Sequence, residues 1–257
     1  MYDPTSPLLR PAIATDGPPV PDAKARFAED RLLDAVIWCE IQPGETVTEA
    51  DVMDRFGLTR AAARAGLTRL GYDGWAMPQP RTGWLVLPVT GALVGHVLDA
   101  RRTAEIALSD VKLSADARME LEQIAPVLQA LDQRPETGAV VSVQHYLARI
   151  DGLLLGGLNP FTARHLRKLW HHSTRILRFL EDAGQNRIFR RADVSVMIDA
   201  VLVGNSPAIV DARMTLIDAQ EAFCLRQLLK NEAPLTPGSG AHERAKPKTA
   251  AANRRET

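Results

Sequence analysis

Residues 45–89 read ETVTEADVMDRFGLTRAAARAGLTRLGYDGWAMPQPRTGWLVLPV, a run whose punctuation leaves few folds open. Thr48 stands where a helix needs its N-cap, and Asp51 three residues on completes a capping box. Val52, Met53 and Phe56 give this helix an inward face, and Gly57 stops it. Thr59 caps a second helix, residues 60 to about 70. Asp73-Gly74 then turns the chain into two short strands, 75–77 and 84–87, joined through Pro78, Pro80 and Arg81-Thr82-Gly83. Two short helices, a tight turn and a hairpin are the layout of a winged helix-turn-helix, a shape that places one helix in a DNA groove.

The second of these helices has two faces. Ala63, Leu67 and Leu70 recur at helical spacing and form its buried side, while Arg60, Arg64 and Thr68 form a stripe turned away from it. Arginines near the start of an inserted helix reach guanine edges or phosphates. Arg69 falls off the stripe and suits backbone phosphate. Arg81, Thr82 and Gly83 at the hairpin tip suit the minor groove or phosphate. The candidate DNA contacts are therefore Thr59, Arg60, Arg64, Thr68, Arg69, Arg81, Thr82 and Gly83. The chain has 31 basic and 31 acidic residues, so bulk charge cannot hold it on nucleic acid. From Arg55 to Tyr72, however, every charged residue is an arginine. A solvated arginine face on a protein-interaction module is the competing reading.

Around this segment the chain divides by composition. Residues 1–24 are proline-rich and patternless and read as a disordered arm; 25–89 form the winged domain, opened by a helix with Phe27, Leu32, Leu33, Val36 and Ile37 in an apolar stripe. Residues 90–232 read as an all-helical domain, with helices near 90–111, 114–132, 138–156, 161–183, 187–203 and 206–231. Pro126 predicts a kink or break in the second of these. Residues 233–257 read as a disordered basic tail. Fold class is thus mainly α, a winged helix-turn-helix followed by a helical bundle for effector binding or dimerisation. The apolar window at 150–158 is too short to span a bilayer and carries Asp151, and no signal peptide is visible, so a cytoplasmic location without membrane contact is expected. Cys39 and Cys224 read as reduced, buried thiols.

The winged segment resembles the N-terminal domain of GntR-type bacterial transcription regulators. The resemblance is carried by Pro43-Gly44, Val47-Thr48-Glu49, the run from Gly57 through Arg60 and Arg64 to Arg69-Leu70, Asp73-Gly74-Trp75 and Arg81-Thr82-Gly83. The family's proline is Ala62 here and its glutamate Ala65. Gly66 inside a helix costs on the order of 1 kcal/mol relative to alanine. The helical half resembles the FadR-type domain called FCD, through Arg101 with Glu105, Asn159-Pro160, Gly204-Asn205 and Met214.

That resemblance implies a homodimer on a palindromic double-stranded DNA operator and a small carboxylate effector, in many such domains beside a metal held by an Asp and three His. The ligand positions here fall on Tyr146 and Ile150, or Asp151 and Leu155, then Val194, then Leu216 or Ile217. Hydrocarbon side chains cannot coordinate a divalent ion, so no metal and no other cofactor is expected. The six histidines lack chelating spacing. Arg101 could clamp a carboxylate, or pair with Glu105 one turn later; Tyr146, Arg149 and Arg190 are further effector candidates. Two functions remain: an effector-controlled dimeric regulator, or a DNA-binding protein whose helical domain only dimerises or holds a protein partner. No nucleophile elbow, phosphate-cradling loop or paired His/carboxylate motif points to an enzyme.

Overall fold

The computed structural model describes residues 20–132, 137–181, 189 and 194–230. The chain runs α1 Val20–Ile37, β1 Thr46–Val47, α2 Glu49–Phe56, α3 Arg60–Tyr72, β2 Ala76–Gln79 and β3 Gly83–Val86. It continues as α4 Gly91–Ala104, a 3-10 segment Glu105–Asp110, α5 Ala115–Asp132, α6 Thr137–Gly156, α7 Pro160–Leu180, α8 Val194–Val203 and α9 Ser206–Lys230.

Local chemistry sets the winged half. The amide of Asp51 donates to the Thr48 hydroxyl (3.2 Å) and the amide of Thr48 to the Asp51 carboxylate (2.8 Å), which satisfies two amides the helix leaves unpaired. Gly57 closes α2 in the left-handed conformation. The three strands are antiparallel in the order β1-β3-β2, with Thr46 opposite Leu85 and Ala76 opposite Val86. Pro78 is tolerated because β2 is an edge strand. The two-residue strand β1 was not expected; it is too short to show a period. Leu32, Val36, Val52, Ala63, Leu67, Leu70, Trp75 and Val86 form the core beneath α3. Phe27 leaves the expected stripe and is 64% exposed. Gly66 has its reason at the α1–α3 crossing: a Cβ there would stand 2.7 Å from Leu32 Cδ1 and 3.2 Å from the Ala28 carbonyl oxygen.

Several expected boundaries shift. Helix α1 begins at Val20, inside the segment read as an arm. The helix expected near 90–111 ends at Ala104 and tightens to 3-10 pitch from Glu105, whose carboxylate is drawn into the interior by partners on three helices. Pro126 does not break α5, which runs unbroken to Asp132. Helix α8 starts at Val194 rather than near 187; the residues before it, and the expected tail, lie outside the described residues. One helical core gathers α5, α6, α7 and α8 around Leu121, Ile150, Leu154, Leu166 and Ile198; a second joins α4, α7 and α9 around Leu98, Ile176, Ile217 and Cys224. Among the described residues no helix is long and apolar enough to cross a membrane.

The two halves meet along α7. Trp75 stacks on His172 with ring centroids 3.9 Å apart. Arg175, fully buried, donates through Nη1 to the Leu87 carbonyl (2.6 Å), and its own carbonyl accepts from the Cys39 thiol (3.6 Å). Lys168 donates to the Asp73 carbonyl (2.7 Å), and the Arg178 guanidinium lies over the Trp38 ring. Among the described residues, Arg175 Nε and Nη2 and His172 Nδ1 are buried without a hydrogen-bond partner.

Candidate functional site

Helix α3 presents the expected two faces. Ala62, Ala63, Gly66, Leu67 and Leu70 are buried, while Arg60, Arg64, Thr68 and Arg69 are exposed. What the sequence conceals is the compensation of the arginines. Arg64 makes a bidentate pair with Glu49 of α2, Nε to Oε1 at 2.7 Å and Nη2 to Oε2 at 3.1 Å, and Arg60 Nε reaches the same carboxylate at 3.3 Å. Arg55 pairs with Glu45 (2.6 Å) and Arg69 with Asp73 (2.8 Å). The acid-free stretch 55–72 is therefore not an uncompensated patch: acids from outside it meet all four arginines. The hydrogen bond from Arg64 does most to hold the Glu49 carboxyl below its ordinary range; desolvation opposes it, and the Arg60 hydrogen bond and the charges of both arginines add to it.

Arg81 sits at the tip between β2 and β3 in a left-handed conformation (φ 70°), with no ion-pair partner among the described residues. Three residues read as DNA contacts have structural duties as well. The Thr59 hydroxyl caps α3 by accepting from the Ala62 amide (3.4 Å). Thr82 turns inward to donate to the Gln79 carbonyl (3.4 Å). Gly83, at φ 125°, lies where a Cβ would stand 2.4 Å from the Val47 carbonyl oxygen, so β1–β3 pairing alone demands glycine.

A half-open cavity of about 150 Å³ lies in the helical domain. Arg101 is buried at its base: Nε donates to Glu105 and Nη1 to Ser173 Oγ (3.0 Å) and Gln220 Oε1. Arg213 of α9 donates to the other Glu105 oxygen (2.5 Å), reaches Asp151 (3.5 Å) and lies over the Trp170 ring, whose Nε1 also donates to Glu105 (2.8 Å). Burial alone would raise the Glu105 pKa, but Arg213 and Arg101 outweigh it and hold the carboxyl at about 2. Of the three effector candidates among the described residues, Arg101 alone lines the cavity. Tyr146 packs against the helical core instead, Arg149 turns outward to Glu120 (2.6 Å), and Arg190 lies outside the described residues. Arg213, Glu105, Trp170 and Ser173 were missed as a set; the signal was an arginine among apolar neighbours in α9. Trp38, from the winged half, completes the wall.

Of the positions where the resemblance puts metal ligands, Ile150, Leu155 and Ile217 lie in the hydrocarbon core with Tyr146 and Val194 packed against it, while Asp151 and Leu216 line the cavity. Among the described residues no three His, Cys, Asp or Glu side chains converge. Cys224 is buried, whereas Cys39 is only half-buried at the seam; burial first of all pushes both thiols up to about 11.

Comparison with solved structures gives this arrangement relatives. Escherichia coli McbR/YncC superposes over 80% of this chain and 98% of its own, with a TM-score of 0.62 at 14% identity. A protein described as the transcriptional regulator GntR from Rhodococcus sp. RHA1 covers 79% of this chain and 98% of its own, with a TM-score of 0.56 at 19% identity. The chain has their fold. The order expected from the sequence, a winged helix followed by an all-helical domain, is the order these two structures share with it. No known family description and no curated protein matches the sequence itself.

Proposed function

We propose that this chain is a sequence-specific, DNA-binding transcription regulator that acts as a homodimer and answers to a small effector in the helical domain. One observation carries the reading: α3 buries its apolar face and turns Arg60 and Arg64 outward beside the β2–β3 tip that bears Arg81. An inserted helix with arginines near its start reads base edges, and the hairpin tip reaches the flanking backbone. A single reader covers a half-site, so a second copy on a palindrome supplies affinity. Leu225 and Leu229, exposed one turn apart on α9, are apolar surface for such a copy.

The cavity supports an effector site over a purely dimerising bundle. It is polar at its base, apolar along part of its wall, and shared with the reader through Trp38. Selection from a random duplex pool by the full chain tests the proposal. It should enrich a palindrome, and Arg60→Ala and Arg64→Ala should each weaken its binding about tenfold or more. Failure to enrich any motif, or unchanged binding by both variants, would refute the reading.

A further inference from the structure

Among the described residues, every arginine lining the cavity already faces a carboxylate. Arg101 and Arg213 share Glu105, Arg213 also reaches Asp151, and Arg178 pairs with Glu181 at 3.2 Å. Glu105 is wholly buried with both its oxygens occupied, one by Arg101 and Trp170 and the other by Arg213. Asp151 and Glu181 form part of the cavity wall itself. An incoming carboxylate would compete with Glu105 for guanidinium groups already committed, and would lie against two like charges. A neutral molecule meets neither penalty. It can hydrogen-bond to Ser173, Thr174 and Gln144 and lie against the rings of Trp38 and Trp170. A volume of this order holds a single aromatic ring.

The geometry points to an uncharged, ring-bearing effector with an amide or hydroxyl group, not a free carboxylate. This rests on the effector reading of the cavity. The two are separated by thermal unfolding and calorimetric titration of the full chain with benzamide and benzoate, isosteres that differ in charge, alongside the variant Asp151→Asn. Asp151 is partly exposed and the change is near-isosteric; unfolding of the unliganded variant checks that it folds. Benzamide should raise Tm and bind at least tenfold more tightly than benzoate. Asp151→Asn, which leaves the arginines with less opposing charge, should shift that ratio at least tenfold toward benzoate. Benzoate binding the wild type as tightly as benzamide overturns the proposal, and so does a ratio that Asp151→Asn leaves unmoved. If neither compound shifts wild type or variant, the effector reading itself falls and takes the proposal with it.

Discussion

Glu49 sets an acid where DNA binding by charge alone would want none. Exposed ion pairs contribute little to stability, so its value to the fold is small. Its geometric value is larger: one carboxylate fixes the orientation of two guanidinium groups on a neighbouring helix. We expect Glu49→Gln to raise affinity for random-sequence duplex, because a negative charge leaves the surface. The ratio of selected to random binding should drop at least threefold, because the arginine heads lose their common anchor. Anisotropy titrations with both duplexes would show this, and an unchanged ratio would remove Glu49 from the reading apparatus. Gly83 poses the opposite question. Read from sequence it is a wing-tip contact; in the fold, Gly83→Ala drives a Cβ into the Val47 carbonyl. The expected outcome is a loss of about 1–3 kcal/mol in stability, measured by denaturant unfolding without DNA. A variant that kept wild-type stability and lost only DNA binding would restore the contact role.

At the scale of elements, α7 is both a bundle helix and the bracket that holds the reader. His172 shows how the two duties meet. Burial first, then the nearby charges of Arg175, Lys168 and His171, lower its pKa to about 3, so the ring stacked on Trp75 is neutral. The folded-state pKa lies below the unfolded value near 6.5. This group's contribution is therefore fully present above pH 6.5 and is lost as pH falls toward 3. His171, lowered to about 4 mainly by burial, adds a second such slope over much of the same window. Unfolding free energy should fall by up to about 1.4 kcal/mol per pH unit for each histidine, and His172→Phe should remove one of the two slopes. A pH profile unaltered by that change would show the stack is not titrating.

The helices of this protein were largely legible in its sequence because caps and periodicity are local. Thr48 with Asp51, and Thr59, stand at the helix starts read from the sequence and each cap one. What was not legible depends on distance along the chain. Glu49 lies 11 and 15 residues from the arginines it holds, and Arg213 lies 108 residues from Glu105. Nothing in the spacing of an arginine says whether its partner is water, phosphate or a buried carboxylate. Gly66 looked like a defect because helix propensity is a property of one helix, while its justification is the approach of another.

For the whole molecule, the balance of charge limits how DNA can be held. Net charge is zero, and the arginines of the reader surface other than Arg81 are matched by acids on the protein. Few counterions are then released on random duplex, so log affinity should fall only shallowly with log salt. Under the proposed function specific binding should be steeper, since a dimer would bring Arg60, Arg64 and Arg81 to the DNA twice over. Titrations between 50 and 200 mM salt compare the two slopes, in the range where such effects are large. Equal slopes would mean that the same contacts serve both modes.

Trp38 belongs to the reader by sequence and to the cavity by position. The two halves are therefore not interchangeable parts. On the proposed function, a chimera given a different winged domain would gain a new operator but lose one side of the chamber, and with it part of the shape offered to an effector. Mutational drift just past α1 would reshape the chamber without touching any residue of the helical bundle, so on that reading the signal and the DNA recognised would be constrained to change together.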